Sequence, residues 1–179
     1  MISLLRKRPR YSDFLFKKRS SQQINIPEKG DSRMNNRLLQ EYMITLINLA
    51  DLHKKAFGDR DIVIPTCFSE TICRSLLSLD KLSSKNVDAV DSSGATYEIK
   101  ATSTKSGTTT IRKDQNATYL IWVYFDFVSQ KIIIRKTNYK SVKVLVEKDR
   151  TSNNRANIRL SKISTWETVL SCEMNNLWS

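Results

Sequence analysis

The residues best suited to chemistry lie in one stretch, Val87-Asp88-Ala89-Val90-Asp91-Ser92-Ser93-Gly94-Ala95-Thr96-Tyr97-Glu98-Ile99-Lys100. A hairpin with the three-residue loop Ser92-Ser93-Gly94 fits it, because glycine at the third loop position takes the left-handed conformation such loops need. In that register Val90 faces Thr96, Ala89 faces Tyr97 and Asp88 faces Glu98. Directly opposed side chains share a face, and alternation adds Lys100 to it. Two acids side by side repel unless something compensates them, and a divalent cation does so directly. Mg²⁺ takes one or two carboxylates and completes its shell with water and phosphate oxygens; Mn²⁺ is expected to substitute. Such an ion lowers the pKa of water and polarises a phosphate. Lys100 is placed to position the attacking water and to steady developing negative charge. The pattern predicts a metal site at Asp88 and Glu98, with Lys100 as the cationic partner.

Asp91 competes with Asp88 for the ligand role. A two-residue turn at Ser93-Gly94 shifts the register by one and moves Asp91 onto the Glu98 face. With the three-residue loop, Asp91 is instead a turn residue that caps the loop. The opposite face carries Val87, Ala89, Tyr97, Ile99 and Ala101, which read as core.

The elements that must position this hairpin are legible in outline. Leu38, Leu39, Tyr42, Met43, Leu46, Leu49, Ala50 and Leu52 recur near a 3.6-residue period, predicting a helix from Asp31 or Ser32 to about Phe57. Gly58 ends it. Pro65 resets the chain, and Ser69 is the expected cap of a second helix with Ile72, Leu76, Leu77 and Leu79 inward. Strands are expected at 86–91 and 95–102, at 119–128 as a buried central strand, and at 131–136. Segments 139–146 and 158–163 suit either strand or helix. The stretches 103–110 and 149–157 read as polar loops. The fold class expected is α/β (α+β): a central mixed β-sheet flanked by helices. Internal repeats are absent.

The charge balance points to a polyanionic partner, with 30 Lys+Arg against 18 Asp+Glu and a formal net charge of +12. Basic residues gather near the start as Arg6, Lys7, Arg8 and Arg10, then Lys17, Lys18 and Arg19, with Tyr11, Phe14 and Phe16 between. Residues 1–30 therefore read as a basic arm that contacts phosphates, and 31–179 as a single domain. Lys105, Arg112 and Lys113 follow the Glu98 strand in a Thr/Ser/Lys-rich stretch suited to the same task. Asn153, Asn154, Arg155 and Asn157 suit base-edge readout or an ordinary turn. Double-stranded DNA is the expected partner.

The arrangement Asp–nine residues–Glu-x-Lys on a hairpin resembles the PD-(D/E)XK nuclease superfamily. Tyr97-Glu98-Ile99-Lys100-Ala101-Thr102-Ser103, then a Ser/Thr-rich stretch and Tyr119-Leu120-Ile121-Trp122-Val123-Tyr124-Phe125-Asp126, looks most like small type II restriction endonucleases. The resemblance covers roughly residues 66–136. It implies a restriction-endonuclease-like core, Mg²⁺ dependence, and hydrolysis of DNA leaving a 5′-phosphate. Asp88, Glu98 and Lys100 match the motif's two acids and lysine, and Val87 stands where its proline would be. The superfamily also brings an acid from the preceding helix to the metal, which implies a part for Glu70. Gln115 and Tyr119 have the Gln-x-x-x-Tyr spacing of RecB-type nucleases, a spacing that also arises by chance. Homing endonucleases and junction resolvases share the motif, and a non-catalytic basic DNA-binding module is the alternative outside it.

Other chemistries fit poorly. Cys67, Cys73 and Cys172 with the single His53 make no convincing zinc site and no even disulfide framework. They read as buried reduced thiols in a cytoplasmic protein, and the resemblance to restriction enzymes implies a prokaryotic one. No apolar run approaches the roughly 20 residues that span a membrane. The mildly apolar start is followed, not preceded, by its basic cluster, so it is not expected to act as a secretory signal. Glu41 reads as a salt-bridging residue on a solvated helix face. A chain with one such site cuts both strands most simply as a homodimer.

Overall fold

A computed structural model describes residues 32–58, 61–82, 87–149 and 154–177. The elements run α1 (Ser32–Phe57), α2 (Thr66–Leu77), β1 (Asp80–Lys81), β2 (Ala89–Val90), β3 (Thr96–Thr102), β4 (Thr108–Arg112), β5 (Tyr119–Asp126), β6 (Lys131–Asn138), α3 (Tyr139–Lys148), β7 (Arg155–Arg159) and β8 (Glu167–Glu173). The fold is α+β. Six strands form a mixed sheet in the order β1-β2-β3-β5-β6-β8, and β4 pairs with β7 in a separate two-stranded ribbon.

β5 lies at the centre for a reason visible in its residues. Tyr119-Leu120-Ile121-Trp122-Val123-Tyr124-Phe125 is apolar throughout, and only a strand covered on both faces buries such a run. Alternation divides it. Ile121, Val123 and Phe125 join Ile99, Ile132 and Ile134 against Met43, Leu46, Phe68 and Ile72 of α1 and α2. Leu120, Trp122 and Tyr124 face the other way, against Ile111, Tyr139, Val142, Ala156, Ile158 and Leu160. Two apolar layers therefore sandwich the sheet, one helical and one built from α3 and the ribbon. β3 pairs with β5 in parallel and sets Glu98 beside Leu120 and Lys100 beside Trp122.

Several boundaries depart from expectation. α2 begins at Thr66, three residues before the expected cap, with Pro65 entering at φ −60°. Ser69 is buried inside the helix and its hydroxyl donates back to the Thr66 carbonyl at 3.0 Å, so it caps nothing. The stretch expected as a loop after β3 contains a strand, β4, and the polar stretch after α3 contains its partner, β7. Segment 139–148 is helical, opened by Asn138, whose side chain accepts from the Lys140 amide. Strand β8 at the sheet edge was not expected at all.

Candidate active site

The hairpin is built from its turn outward. Asp91 Oδ1 accepts from the Ser93 amide at 2.9 Å, the Ser93 hydroxyl at 2.6 Å and the Ala95 amide at 3.0 Å. Its Oδ2 accepts from the Tyr97 hydroxyl at 2.7 Å. Gly94 sits at φ +84°, which costs a glycine little. These bonds hold the Asp91 carboxyl down at about 2, the Ser93 and Tyr97 hydroxyls contributing most. The loop has three residues, and Ala89 pairs with Tyr97 and Val90 with Thr96. Asp91 is a turn residue.

Regular pairing stops one residue earlier. The Asp88 amide donates to the Tyr97 carbonyl, while its Oδ2 accepts from the Ile99 amide at 2.7 Å. The carboxylate thus takes over a ladder position that β2 is too short to fill. That brings Asp88 against Glu98, whose side chain it meets directly. Glu98 is only 4% exposed. Lys100 Nζ stands 2.5 Å from Glu98 Oε1 and remains partly open to solvent. On the other side Gln115 Nε2 donates to Glu98 Oε2.

The electrostatics follow from this crowding. Burial pushes the Glu98 carboxyl up to about 7, the Asp88 carboxylate pushes the same way, and Lys100 opposes both. Glu70 is also raised, first by burial and then by Asp88, against the pull of Arg74 and Lys100. Glu70 therefore belongs to the same electrostatic cluster. It does so from the second turn of α2 rather than its start, and Arg74 pairs with it at 3.4 Å.

No family model matches the chain, and no curated protein matches its sequence. The site is therefore weighed on its own donor set. Among the described residues no three His, Cys, Asp or Glu side chains form a ready-made metal cage. Mg²⁺ does not require one, since it binds through one or two carboxylates and keeps several waters. Asp88 and Glu98 offer such a pair, and a buried acid raised toward neutrality by a second acid is what a cation relieves. The donor set fits Mg²⁺ or Mn²⁺. It does not fit zinc, because neither His53 nor a cysteine takes part in it.

Of the other residues singled out by sequence, Arg112 lies at the end of β4, near enough for Glu98 to act on its charge, and forks onto Asp114 at 3.0 and 2.6 Å. Lys113 donates to the Asp149 carbonyl at 2.9 Å. Lys105 follows the far end of β3 and shares a recess with Asp61, Ser103, Tyr124 and Asp126, away from Glu98. The fold does not bring Lys105 and Arg112 together. Arg6, Lys7, Arg8, Arg10, Lys17, Lys18 and Arg19 lie outside the described residues, as does Asn153. Glu41 pairs with Arg37 at 3.1 Å on the exposed face of α1. His53 sits tilted against Phe57, ring centroids 4.9 Å apart. No described helix is long and apolar enough to cross a membrane.

Gln115 is the residue that sequence reasoning undervalued. Its only signal was its place four residues before Tyr119. The two do not act as a unit: Gln115 bonds Glu98, while Tyr119 stacks on Tyr97 at 5.4 Å in the opposite layer.

Proposed function

We propose that this chain is a Mg²⁺-dependent, site-specific DNA endonuclease of the type II restriction kind, resembling the PD-(D/E)XK nucleases. One observation carries the reading. A buried glutamate, Glu98, is held between a second carboxylate, an ammonium and a carboxamide at the point where β2 ends and leaves the edge of β3 open. A purely structural hairpin has no use for opposed acids there, since they weaken it. The net charge of +12 supports a polyanionic substrate.

In this reading Asp88 and Glu98 hold the cation and Glu70 stands behind them as a third carboxylate. Mg²⁺, when bound there, supplies Lewis acidity toward a phosphate oxygen and toward water. Lys100 bonds Glu98 in the resting site. With that carboxylate engaged by a cation, the Lys100 ammonium would be free to face the phosphate. There it orients the attacking water and balances charge growing on the non-bridging oxygens. The water oxygen bonds to phosphorus as the bond to the 3′ oxygen breaks. The water's proton passes to solvent, and the departing 3′ oxygen takes one up, leaving a 5′-phosphate and a 3′-hydroxyl. Gln115 keeps the Glu98 carboxylate plane fixed and acts as a positioning residue. Duplex DNA is the substrate, and a twofold homodimer places one such site on each strand.

Supercoiled plasmid incubated with the full chain and Mg²⁺ at low salt is expected to give discrete bands, which chelation abolishes. Asp88→Asn, Glu98→Ala and Lys100→Ala are expected to lose about 100-fold or more of cleavage, roughly 2.7 kcal/mol of barrier. Asp91→Asn is expected to stay within about tenfold. A smear in place of bands removes site specificity. A gel shift without cutting leaves only a binding module, and normal cutting by Asp88→Asn overturns the site.

A further inference from the structure

We propose that the outward face of the β4–β7 ribbon enters the major groove of duplex DNA and reads its bases. The two strands are Thr108-Thr109-Thr110-Ile111-Arg112 and Arg155-Ala156-Asn157-Ile158-Arg159. Alternation sorts them cleanly. Ile111, Ala156 and Ile158 are buried in the layer around Trp122. Thr110, Arg112, Asn157 and Arg159 are exposed on the other side, and the register sets Thr110 opposite Asn157.

That outward face carries arginine, threonine and asparagine, and neither strand contains a carboxylate. Arginine and asparagine are the side chains that pair bidentately with guanine and adenine edges. The Thr110 hydroxyl bonds Asn157 Oδ1 at 2.9 Å, which fixes the amide plane before any partner arrives. Arg112 of this face pairs with the exposed Asp114. Such exposed pairs are weak and exchange readily for a phosphate or a base.

Shape agrees with chemistry. The major groove of B-form DNA is about 12 Å wide and admits a two-stranded ribbon, while the minor groove is about half that. A five-residue strand spans about 14 Å, the rise of about four base pairs. The ribbon is also held rigidly. The Leu160 amide donates to the Gly107 carbonyl at one end, and the Lys113 amide donates to the Asn154 carbonyl at the other. Its Arg112 end leads, three residues later, into Gln115, which bonds Glu98. Reading and cutting are thereby joined through one short segment.

The proposal rests on the DNA-cleaving reading for its purpose, but binding tests it without cleavage. The full chain is used without divalent metal to select duplexes from a random-sequence DNA pool. Wild type is expected to enrich a motif with about four consecutive specified base pairs per chain, with N7-methylation of its guanines interfering. Asn157→Ala and Arg159→Ala are solvent-facing and are checked for folding by circular dichroism. Each is expected to lose about tenfold or more of discrimination at one or two of those base pairs. Binding to mixed-sequence DNA is expected to change less than about threefold for Asn157→Ala, which removes no charge. Variants that select the wild-type motif with unchanged affinity overturn the proposal, as does equal binding of the same sequence as duplex RNA, whose major groove is too narrow. If the variants relax the motif yet wild type never cuts, the cleavage reading fails and the ribbon stands. If wild type cuts and the variants keep its motif, the reverse holds.

Discussion

Glu98 concentrates the site's energetics in one carboxyl group. Its pKa is raised to about 7, by burial first and by Asp88 next, against an ordinary value of 4.5. The folded protein therefore holds this proton more tightly than the unfolded chain. The resulting stabilisation is fully present below about 4.5 and is lost as pH rises through about 7. Glu98→Gln removes the titration. In metal-free buffer, the stability of the wild type relative to this variant is expected to fall between pH 5 and pH 8. The change is on the order of 2–3 kcal/mol, or several degrees in Tm at about 2–4 °C per kcal/mol. Calorimetry at the two pH values measures it, and a gap that does not change with pH contradicts a buried titrating Glu98. At the proposed site Mg²⁺ would bind the deprotonated form, so it is expected to raise the wild-type Tm at pH 8 and to leave Glu98→Gln nearly unmoved. Cleavage is expected to fall as pH drops through about 7. At this scale the sequence was informative because a strand alternates strictly and a three-residue loop sets the register, so Asp88, Glu98, Lys100 and Asp91 could be placed by counting. Gln115 could not, because its approach to Glu98 depends on a parallel pairing that no local pattern announces.

At the scale of elements, local signals served long and uniform segments well. The period of α1 and the unbroken apolar run of β5 were both readable. β4 and β7 were not, because each is short and polar outside, and they pair across 47 residues at Thr110 and Asn157. The start of α2 was misplaced because Ser69 has the composition of a cap, but its hydroxyl bonds inside the helix. What seats the ribbon is one glycine. Gly107 lies at φ +60° where β4 begins, and a Cβ there would meet the Trp122 ring at 2.6 Å and the Leu160 Cβ at 3.0 Å. Both the conformation and the crowding oppose a side chain. Gly107→Ala is expected to cost about 2–4 kcal/mol, combining the left-handed penalty with overpacking. Urea melts followed by tryptophan fluorescence test this, since Trp122 lies tilted against Trp166 in the same layer, ring centroids 5.8 Å apart. A variant as stable as wild type shows that the ribbon does not need its close seat on Trp122.

At the scale of the whole molecule, the net charge of +12 fits the polyanionic partner proposed above but does not say how copies of the chain would assemble around it. On the proposed reading one carboxylate cluster would serve one strand, whereas a duplex presents two antiparallel strands. A twofold dimer on a palindromic site resolves the mismatch without a second site in the chain. α1 supplies apolar surface for such a contact. Leu38, Tyr42, Leu49 and Leu52 are exposed by 60, 43, 48 and 62%. With Thr45 between them, they fall at alternating four- and three-residue intervals, the spacing of a helix seam that packs against another helix. The helix has 26 residues, about 39 Å, and the stripe runs along about half of it. Light scattering is expected to find dimers with a cognate duplex bound. The double variant Leu49→Glu with Leu52→Glu sets acids against acids across the twofold axis. It is expected to scatter as a monomer, to keep its fold because both positions face solvent, and to nick plasmid while losing the linear product. Wild-type protein that stays monomeric with and without duplex removes the dimer. A double variant that remains dimeric and linearises plasmid normally removes α1 as the surface that makes it.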